Sequence, residues 1–198
     1  GVPTMYWALL HAPNADKHAN TIQKSLRVAL SGGAAMPLQV LKDFKLKFDV
    51  PILEGYGLSE TSPAACFNHL GKLNKPGSIG TPIWGIELAI HDKNGTTLGN
   101  DKVGEVVIKG HCIMKGYLNQ PEANKTAIKN GWFYTGDLGK RDEDGYFYIV
   151  DRTKDMIISR GFNIYPREIE ECLAKHPDVS IAAVIGIPNE KSGEEVKA

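Results

Sequence analysis

Apolar residues are grouped along this chain in three textures. Met5-Tyr6-Trp7-Ala8-Leu9-Leu10 is a dense apolar run that predicts a buried helix, and a polar segment over 14–20 follows it. Residues 26–30 read as a short strand that stops at Ser31-Gly32-Gly33. Pro37 suits the first position of a helix, where its missing N–H costs nothing. Leu38, Leu41, Phe44 and Phe48 then recur at roughly helical spacing. Pro51-Ile52-Leu53 resumes as a strand and stops at Glu54-Gly55-Tyr56-Gly57. Strand, glycine turn, helix and strand in that order predict a parallel βαβ unit. Sheets of this kind bind ligands at the carboxyl ends of their strands, where both glycine turns fall.

Residues 62–82 are rich in Pro and Gly and read as a loop. From residue 85 the texture changes to short strands and tight turns. A strand over 86–91 leads into Asn94-Gly95, a strong hairpin signal, and 104–109 alternates apolar with polar. Trp132-Phe133-Tyr134 precedes Thr135-Gly136-Asp137, which reads as a turn, and an Asp144-Gly145 turn precedes the run 146–150. Together these predict a small, mostly antiparallel barrel or sandwich. Asp151-Arg152-Thr153-Lys154-Asp155 then separates that run from Met156-Ile157-Ile158, a polar break that reads as a junction between folding units. Beyond it, Pro166 with Glu168, Glu170 and Glu171 opens a helix whose acidic first turn suits the helix dipole. Its expected inner face is Ile169, Cys172, Leu173 and His176, and the run 181–187 reads as a buried strand.

Composition narrows the partners. Lys plus Arg and Asp plus Glu both number 23, so no net field draws in nucleic acid or an anionic membrane. The three cysteines, Cys66, Cys112 and Cys172, form no closely spaced pair; this suits a reducing, cytoplasmic setting and argues against a disulfide framework or zinc site. No apolar run approaches the ~20 residues that span a bilayer. Membrane association at the surface and oligomeric state are left open.

Three stretches carry candidate chemistry. Asp137 is a carboxylate able to accept hydrogen bonds from two vicinal hydroxyls, as a ribose presents them, although an Asp beside Gly commonly just caps a turn. In Glu54-Gly55-Tyr56-Gly57-Leu58-Ser59-Glu60-Thr61, the Tyr56 ring stands between glycines and can lie on a purine. Ser59 can donate to a phosphate oxygen, and Glu60 is a hard oxygen ligand for magnesium carried by ATP. Read by themselves, these residues are equally a glycine loop with a capping Ser-Glu-Thr. Ser31-Gly32-Gly33-Ala34-Ala35 alone is an ordinary tight turn, Arg152 is able to pair with Asp151 or Asp155 at little gain, and Lys154 is a solvated charge. None of the six histidines stands in a pattern for a Ser–His or metal site.

Taken in order, the Thr135-Gly136-Asp137 segment, the strand after it, Asp151-Arg152-x-Lys154-Asp155 and Gly161-x-Asn163-x-Tyr165-Pro166-x-Glu168-Ile169-Glu170 resemble the acyl-adenylate-forming superfamily. That superfamily includes acyl-CoA synthetases, beetle luciferases and peptide-synthetase adenylation domains. Lys154 to Ile157, followed by residues 161–170, is most similar to the fatty-acyl-CoA ligases, and the apolar Ile158 suits that branch better than the luciferase branch. Pattern and resemblance together give an α/β plus β fold class: part of a doubly wound α/β subdomain (1–84), a small β-barrel or sandwich subdomain (85–151), and a hinge with the start of a small α+β C-terminal domain (152–198).

The resemblance implies ATP, magnesium and coenzyme A as cofactors or co-substrates and a small carboxylic acid as partner. It assigns the nucleotide to Gly33, Ala34, Ala35, Glu54, Gly55, Tyr56, Gly57, Ser59, Asp137 and Arg152. The acyl group falls to Gly33, Gly57, Gly80 and Thr81, and the pantetheine of coenzyme A to Ser159, Arg160 and Gly161. Ser59, Glu60 (as the metal ligand) and Lys154 (as the hinge about which the C-terminal domain turns) complete the catalytic set. Gly104 to Gly110 and Lys115-Gly116-Tyr117 also match the family, as barrel structure. The family's Ser/Thr/Gly-rich phosphate loop and its C-terminal lysine are expected outside this chain, so the chain is expected to be an internal piece with little adenylating activity. The expected reaction is ATP-dependent activation of a fatty acid to an acyl-adenylate, then to a coenzyme A thioester. An aryl- or short-chain ligase, a carrier-loading enzyme and a non-catalytic nucleotide-binding protein are the alternatives.

Overall fold

Two helices, α1 (Pro3–Leu10) and α2 (Ala15–Ser25), open the computed structural model, which describes every residue of the chain except Pro177, Ser180, Ile181 and Glu190. The expected first helix forms but is buried on one side only: Tyr6 and Leu10 face inward, while Met5, Trp7 and Leu9 are exposed. The polar segment 14–20 proves largely helical. Ala15, Ala19 and Ile22 recur at helical spacing within α2 and supply its inner face, a weak stripe of small residues.

Strand β1 (Ala29–Ser31) is followed by α3 (Leu38–Phe48) and β2 (Ile52–Tyr56), and β1 and β2 pair in parallel with Ser31 opposite Glu54. Pro37 sits one position before the helix, at its cap. The inner face of α3 is Val40, Leu41, Phe44 and Phe48; Leu38 belongs to the exposed side. Phe44 meets the rings of Tyr6 and Phe48 edge-on, at centroid distances of 5.3 and 4.8 Å. Strand β2 does not stop at Glu54 as expected. It continues because Gly55 and Tyr56 pair antiparallel with β3 (Cys66–Phe67), and β4 (Thr81–Pro82) closes the sheet in the order β1-β2-β3-β4.

The second sheet contains β5 (Ile86–His91), β6 (Gly104–Gly110), β7 (Ile128–Lys129), β8 (Trp132–Arg141) and β9 (Phe147–Arg152), all antiparallel, with a short α4 (Pro121–Ala127) before β7. Its core of Ile90, Val106, Ile108 and Phe147 is continuous with Ala65 and Cys66 of the first sheet. Two expectations are corrected here. Thr135, Gly136 and Asp137 lie inside β8, not in a turn. They form a bulge, since Val107 is opposite Tyr134 while Glu105 is opposite Leu138, which leaves three residues facing Val106. Asp151 and Arg152 are likewise the end of β9, with Arg152 opposite Asp137, not the start of a polar break.

The third sheet, in the order β11-β10-β13-β12, is built from β10 (Ile157–Ser159), β11 (Phe162–Ile164), β12 (Ile185–Asn189) and β13 (Gly193–Lys197), with α5 (Pro166–Leu173) inserted after β11. Only Ile169 and Leu173 of the expected inner face of α5 are half-buried. Cys172 and His176 are exposed, because the helix packs its first turn against β9 and leaves its end in solvent. The run expected as a buried strand begins at Ile185, and both Ile185 and Ile187 are exposed on an edge strand; Val184 is buried, and Ile181 lies outside the described residues. All three cysteines are free. No described helix is long and apolar enough to cross a membrane.

Phe44 is 1% exposed and Leu46, on the same helix, is 86% exposed. Phe44→Ala is expected to destabilise the chain by about 3–5 kcal/mol and Leu46→Ala by less than about 0.5 kcal/mol, read from urea unfolding. Equal losses would show that α3 does not carry the N-terminal core.

Candidate functional site

A cavity of ≈ 620 Å³ opens where the three sheets meet, within the range of small-molecule sites. The end of β1 and the turn after it contribute Ser31, Gly33, Ala34 and Ala35; the end of β2 contributes Glu54, Gly55, Tyr56 and Gly57. Asp137 enters from the bulge, Arg152 from the end of β9, Lys154 from the turn after it, and Pro166, Arg167 and Glu170 from α5. The structure thus brings nine of the ten expected nucleotide-binding residues, together with Lys154, to one wall system. Ser31 adds a hydroxyl that is buried and has no hydrogen-bond partner among the described residues, a donor available to a ligand.

Asp137 is the most constrained of these groups. It is 6% exposed, and an ionised carboxylate that deep must be paired. The Tyr56 hydroxyl donates to its Oδ2 at 2.5 Å, and Arg152 Nε lies 3.4 Å from its Oδ1. The bulge that turns Asp137 inward is itself satisfied. Thr135 Oγ1 donates to the Val106 carbonyl and accepts from the Asp137 N–H, the Gly136 N–H donates to Glu105, and the Gly136 carbonyl accepts from the Thr153 N–H. Gly136 has φ = 75°, the left-handed region in which glycine carries no penalty. Burial, then the Asp137 charge and hydrogen bond, push the Tyr56 phenol upward, so it remains a donor at neutral pH. Arg152 therefore pairs with Asp137 and not with Asp151 or Asp155. Asp151 instead accepts from the backbone N–H groups of Arg152 and Arg167.

The glycines beside Tyr56 do not leave open space. A Cβ at Gly55 would meet the Phe67 ring at 2.2 Å, and one at Gly57 would meet the Pro63 carbonyl oxygen at 1.8 Å. They let β3 and the 63–64 loop close over the strand. Glu54 is a second buried carboxyl on the wall, with Oε2 accepting from the Gly77 N–H at 2.8 Å. Burial pushes its pKa up to about 7, and the Gly77 hydrogen bond and nearby Arg167 only partly offset that.

Other expected residues lie elsewhere. Ser59 and Glu60 sit on a 3-10 turn (Ser59–Thr61) just beyond Leu58 and do not line the cavity. Glu60 Oε1 accepts from the Tyr117 hydroxyl at 2.8 Å. Gly80 and Thr81 are also off the wall. A Cβ at Gly80 would overlap the Phe67 backbone at 2.0 Å, so this glycine serves strand packing, and Thr81 Oγ1 meets His69 Nε2 at 3.2 Å. Ser159 ends β10, and Arg160 and Gly161 form the exposed turn between β10 and β11, both at positive φ; none of the three lines the cavity. Lys154 lies in a turn closed by hydrogen bonds from Asp155 and Met156 to the Arg152 carbonyl. Sequence reasoning missed Arg167, whose Nη1 donates to the Ile149 carbonyl at 2.9 Å and whose Nε meets Glu171 at 2.9 Å. Its place just inside a Pro-initiated helix was the only signal for it.

Comparison with known proteins fits this geometry. The model of the AMP-binding enzyme family matches residues 1–118, and that of the AMP-binding enzyme C-terminal domain matches residues 168–198. The chain is 43% identical to a long-chain-fatty-acid–CoA ligase of Bacillus subtilis over 100% of its own length and 35% of that protein's. It is 39% identical to a feruloyl-CoA synthase of Amycolatopsis, over 100% of its length and 40% of that protein's. Its fold superposes on ATP-bound MatB from Rhodopseudomonas palustris with a TM-score of 0.91 at 35% identity, covering 99% of this chain and 39% of that one. The chain thus spans little more than a third of the length of these relatives.

The weakened acidity of Glu54 fixes the pH dependence of its contribution to stability. A carboxyl that holds its proton more tightly when folded contributes stability that is complete below its ordinary value of 4.5 and is lost as pH rises through about 7. Glu54→Gln keeps an oxygen acceptor for the Gly77 N–H and removes the titration. Unfolding free energies are expected to be similar for the two chains at pH 5 and to favour the glutamine chain by about 2–3 kcal/mol at pH 8. A difference independent of pH would show that Glu54 is not desolvated.

Proposed function

The chain belongs to the AMP-binding enzyme family, and on that premise we propose that it carries the adenosine-binding part of an AMP-forming acid–thiol ligase, with a fatty acid as substrate. The observation that carries this reading is the meeting of Tyr56, Asp137 and Arg152 beside the small-residue turn 33–35 in one cavity. A flat base fits between the turn and the Tyr56 ring, a ribose reaches the Asp137 carboxylate, and Arg152 lies where the sugar gives way to phosphate. The three sheets serve as the units 1–84, 85–151 and 152–198, with the segment around Lys154 as the hinge between the last two.

In the first step a carboxylate oxygen attacks the α-phosphorus of ATP, the bond to the β-phosphate breaks, and pyrophosphate leaves behind an acyl-adenylate. This chain's residues contribute by holding the adenosine end while charge builds on the phosphates. Glu60 fits the single-carboxylate mode in which magnesium is held together with substrate phosphates, because one of its oxygens is steadied by Tyr117 and it lies two residues along the chain from Leu58, which lines the cavity. Magnesium there would offset phosphate charge. In the second step the coenzyme A thiol gives up its proton and its sulfur attacks the acyl carbon. The acyl–phosphate bond breaks and AMP leaves. Turning of the C-terminal unit about Lys154 would bring Ser159, Arg160 and Gly161, now on an exposed hairpin, toward the thiol's approach.

Likeness to the Bacillus subtilis ligase supports a fatty acid; likeness to the feruloyl enzyme supports an aromatic acid as the second reading. Pyrophosphate release by the full reading frame that contains this chain, with ATP and magnesium and a panel of carboxylic acids, tests both. Release that follows alkyl chain length, with coenzyme A consumed in step, is the expected result. Release confined to aromatic acids would select the second reading. Release without coenzyme A consumption would point to another acceptor, and none with any acid would favour a non-catalytic nucleotide-binding protein.

A further inference from the structure

Resting on the nucleotide reading above, we propose that the Tyr56 hydroxyl is a positioning group that makes this cavity selective for an intact ribose diol over a deoxy sugar. An aspartate carboxylate turns about a soft, broad torsion, so its oxygens point at a ligand only if something fixes their plane. Among the described residues two side chains pair with the Asp137 carboxylate, and they are unequal. The Arg152 contact is long, at 3.4 Å, and its side chain is 60% exposed, which leaves it free to follow a phosphate. The Tyr56 contact is short, at 2.5 Å, and its ring is held by packing against the core that contains Ala65, Cys66 and Phe147. The hydroxyl therefore sets the carboxylate plane.

Each carboxylate oxygen accepts about two hydrogen bonds. Tyr56 uses one direction on Oδ2 and Arg152 one on Oδ1, which leaves one on each oxygen for a pair of vicinal hydroxyls. A sugar lacking one hydroxyl leaves a buried carboxylate direction unpaired, and sites built on such bonds discriminate strongly for that reason. If Tyr56 contributed only its ring, its hydroxyl would be irrelevant to the sugar.

The test uses the 198-residue chain and its Tyr56→Phe variant, which keeps the ring and removes the hydroxyl. Binding of AMP and of 2′-deoxy-AMP is measured by calorimetry, with folding checked by thermal melting. The unsubstituted chain is expected to prefer AMP by at least about tenfold and the variant by no more than about twofold, with 2′-deoxy-AMP binding little changed. Equal weakening of both nucleotides in the variant, with the preference kept, would overturn the proposal, since loss of structural support alone does that. Equal binding of both by the unsubstituted chain would also overturn it while leaving the nucleotide reading intact. Binding of neither would overturn the reading and the proposal together. If the variant does not fold, the unsubstituted chain labelled at tyrosine Cζ decides. A Tyr56 resonance that moves with AMP but not with 2′,3′-dideoxy-AMP supports the proposal, and one that responds to both alike overturns it.

Discussion

The need to keep one buried carboxylate paired ties this molecule's parts together. Asp137 is carried by β8, its hydroxyl partner by β2 and its cation by the last residue of β9. These strands belong to two different sheets, so the pairing works only if the sheets are docked in one orientation. The bulge in β8 is the local means to that end. It breaks the ladder against Val106, and the broken ladder is made good by the Thr135 side chain and the Glu105 carboxylate. A buried charge of this kind contributes little net stability, yet removing one partner is costly, and the arrangement is therefore better understood as specifying geometry than as holding the fold together.

Glu54 and Asp137 show how neighbouring carboxyls on one wall come to differ. Asp137 has a hydroxyl donor and a guanidinium within reach. Glu54 has one backbone N–H and a more distant guanidinium, too little to offset burial, so its pKa is pushed up to about 7. The cavity wall at Glu54 thus carries less negative charge at neutral pH than the sequence suggests, while Arg152 and Lys154 add positive charge elsewhere in the lining.

The segment around Lys154 is tied at both of its ends. The Thr153 N–H is bound to the Gly136 carbonyl in the bulge, and the Asp151 carboxylate accepts from the backbone at the start of α5. Arg167 adds a bond to the Ile149 carbonyl. On the proposal that a C-terminal unit turns about Lys154, these contacts between α5 and β9 are the ones that would have to break, and they share no side chain with the bulge that holds Asp137.

Local pattern was enough for the parallel unit around α3, for the turn 31–35 and for the identity of Tyr56 and Asp137 as candidates, because each rests on residue types within a short window; Arg152 became a candidate only through the family resemblance. The ordered motifs from 135 to 170 were enough for the family. Sequence could not determine that the space over the glycines flanking Tyr56 is filled by Phe67 and Pro63, that Thr135 to Asp137 is a bulge and not a turn, or that Gly80 packs against a strand. Each of those depends on which distant strand lies alongside, and a window of residues contains no record of its partner. Helix α2 was missed for a related reason: its stripe of Ala15, Ala19 and Ile22 is too weakly apolar to stand out until α3 lies beneath it. The chain by itself determined which side chains were available for chemistry. The docking of three sheets decided which of them face one another, because hydrogen bonds and desolvation act over a few ångströms of space and take no account of separation along the chain.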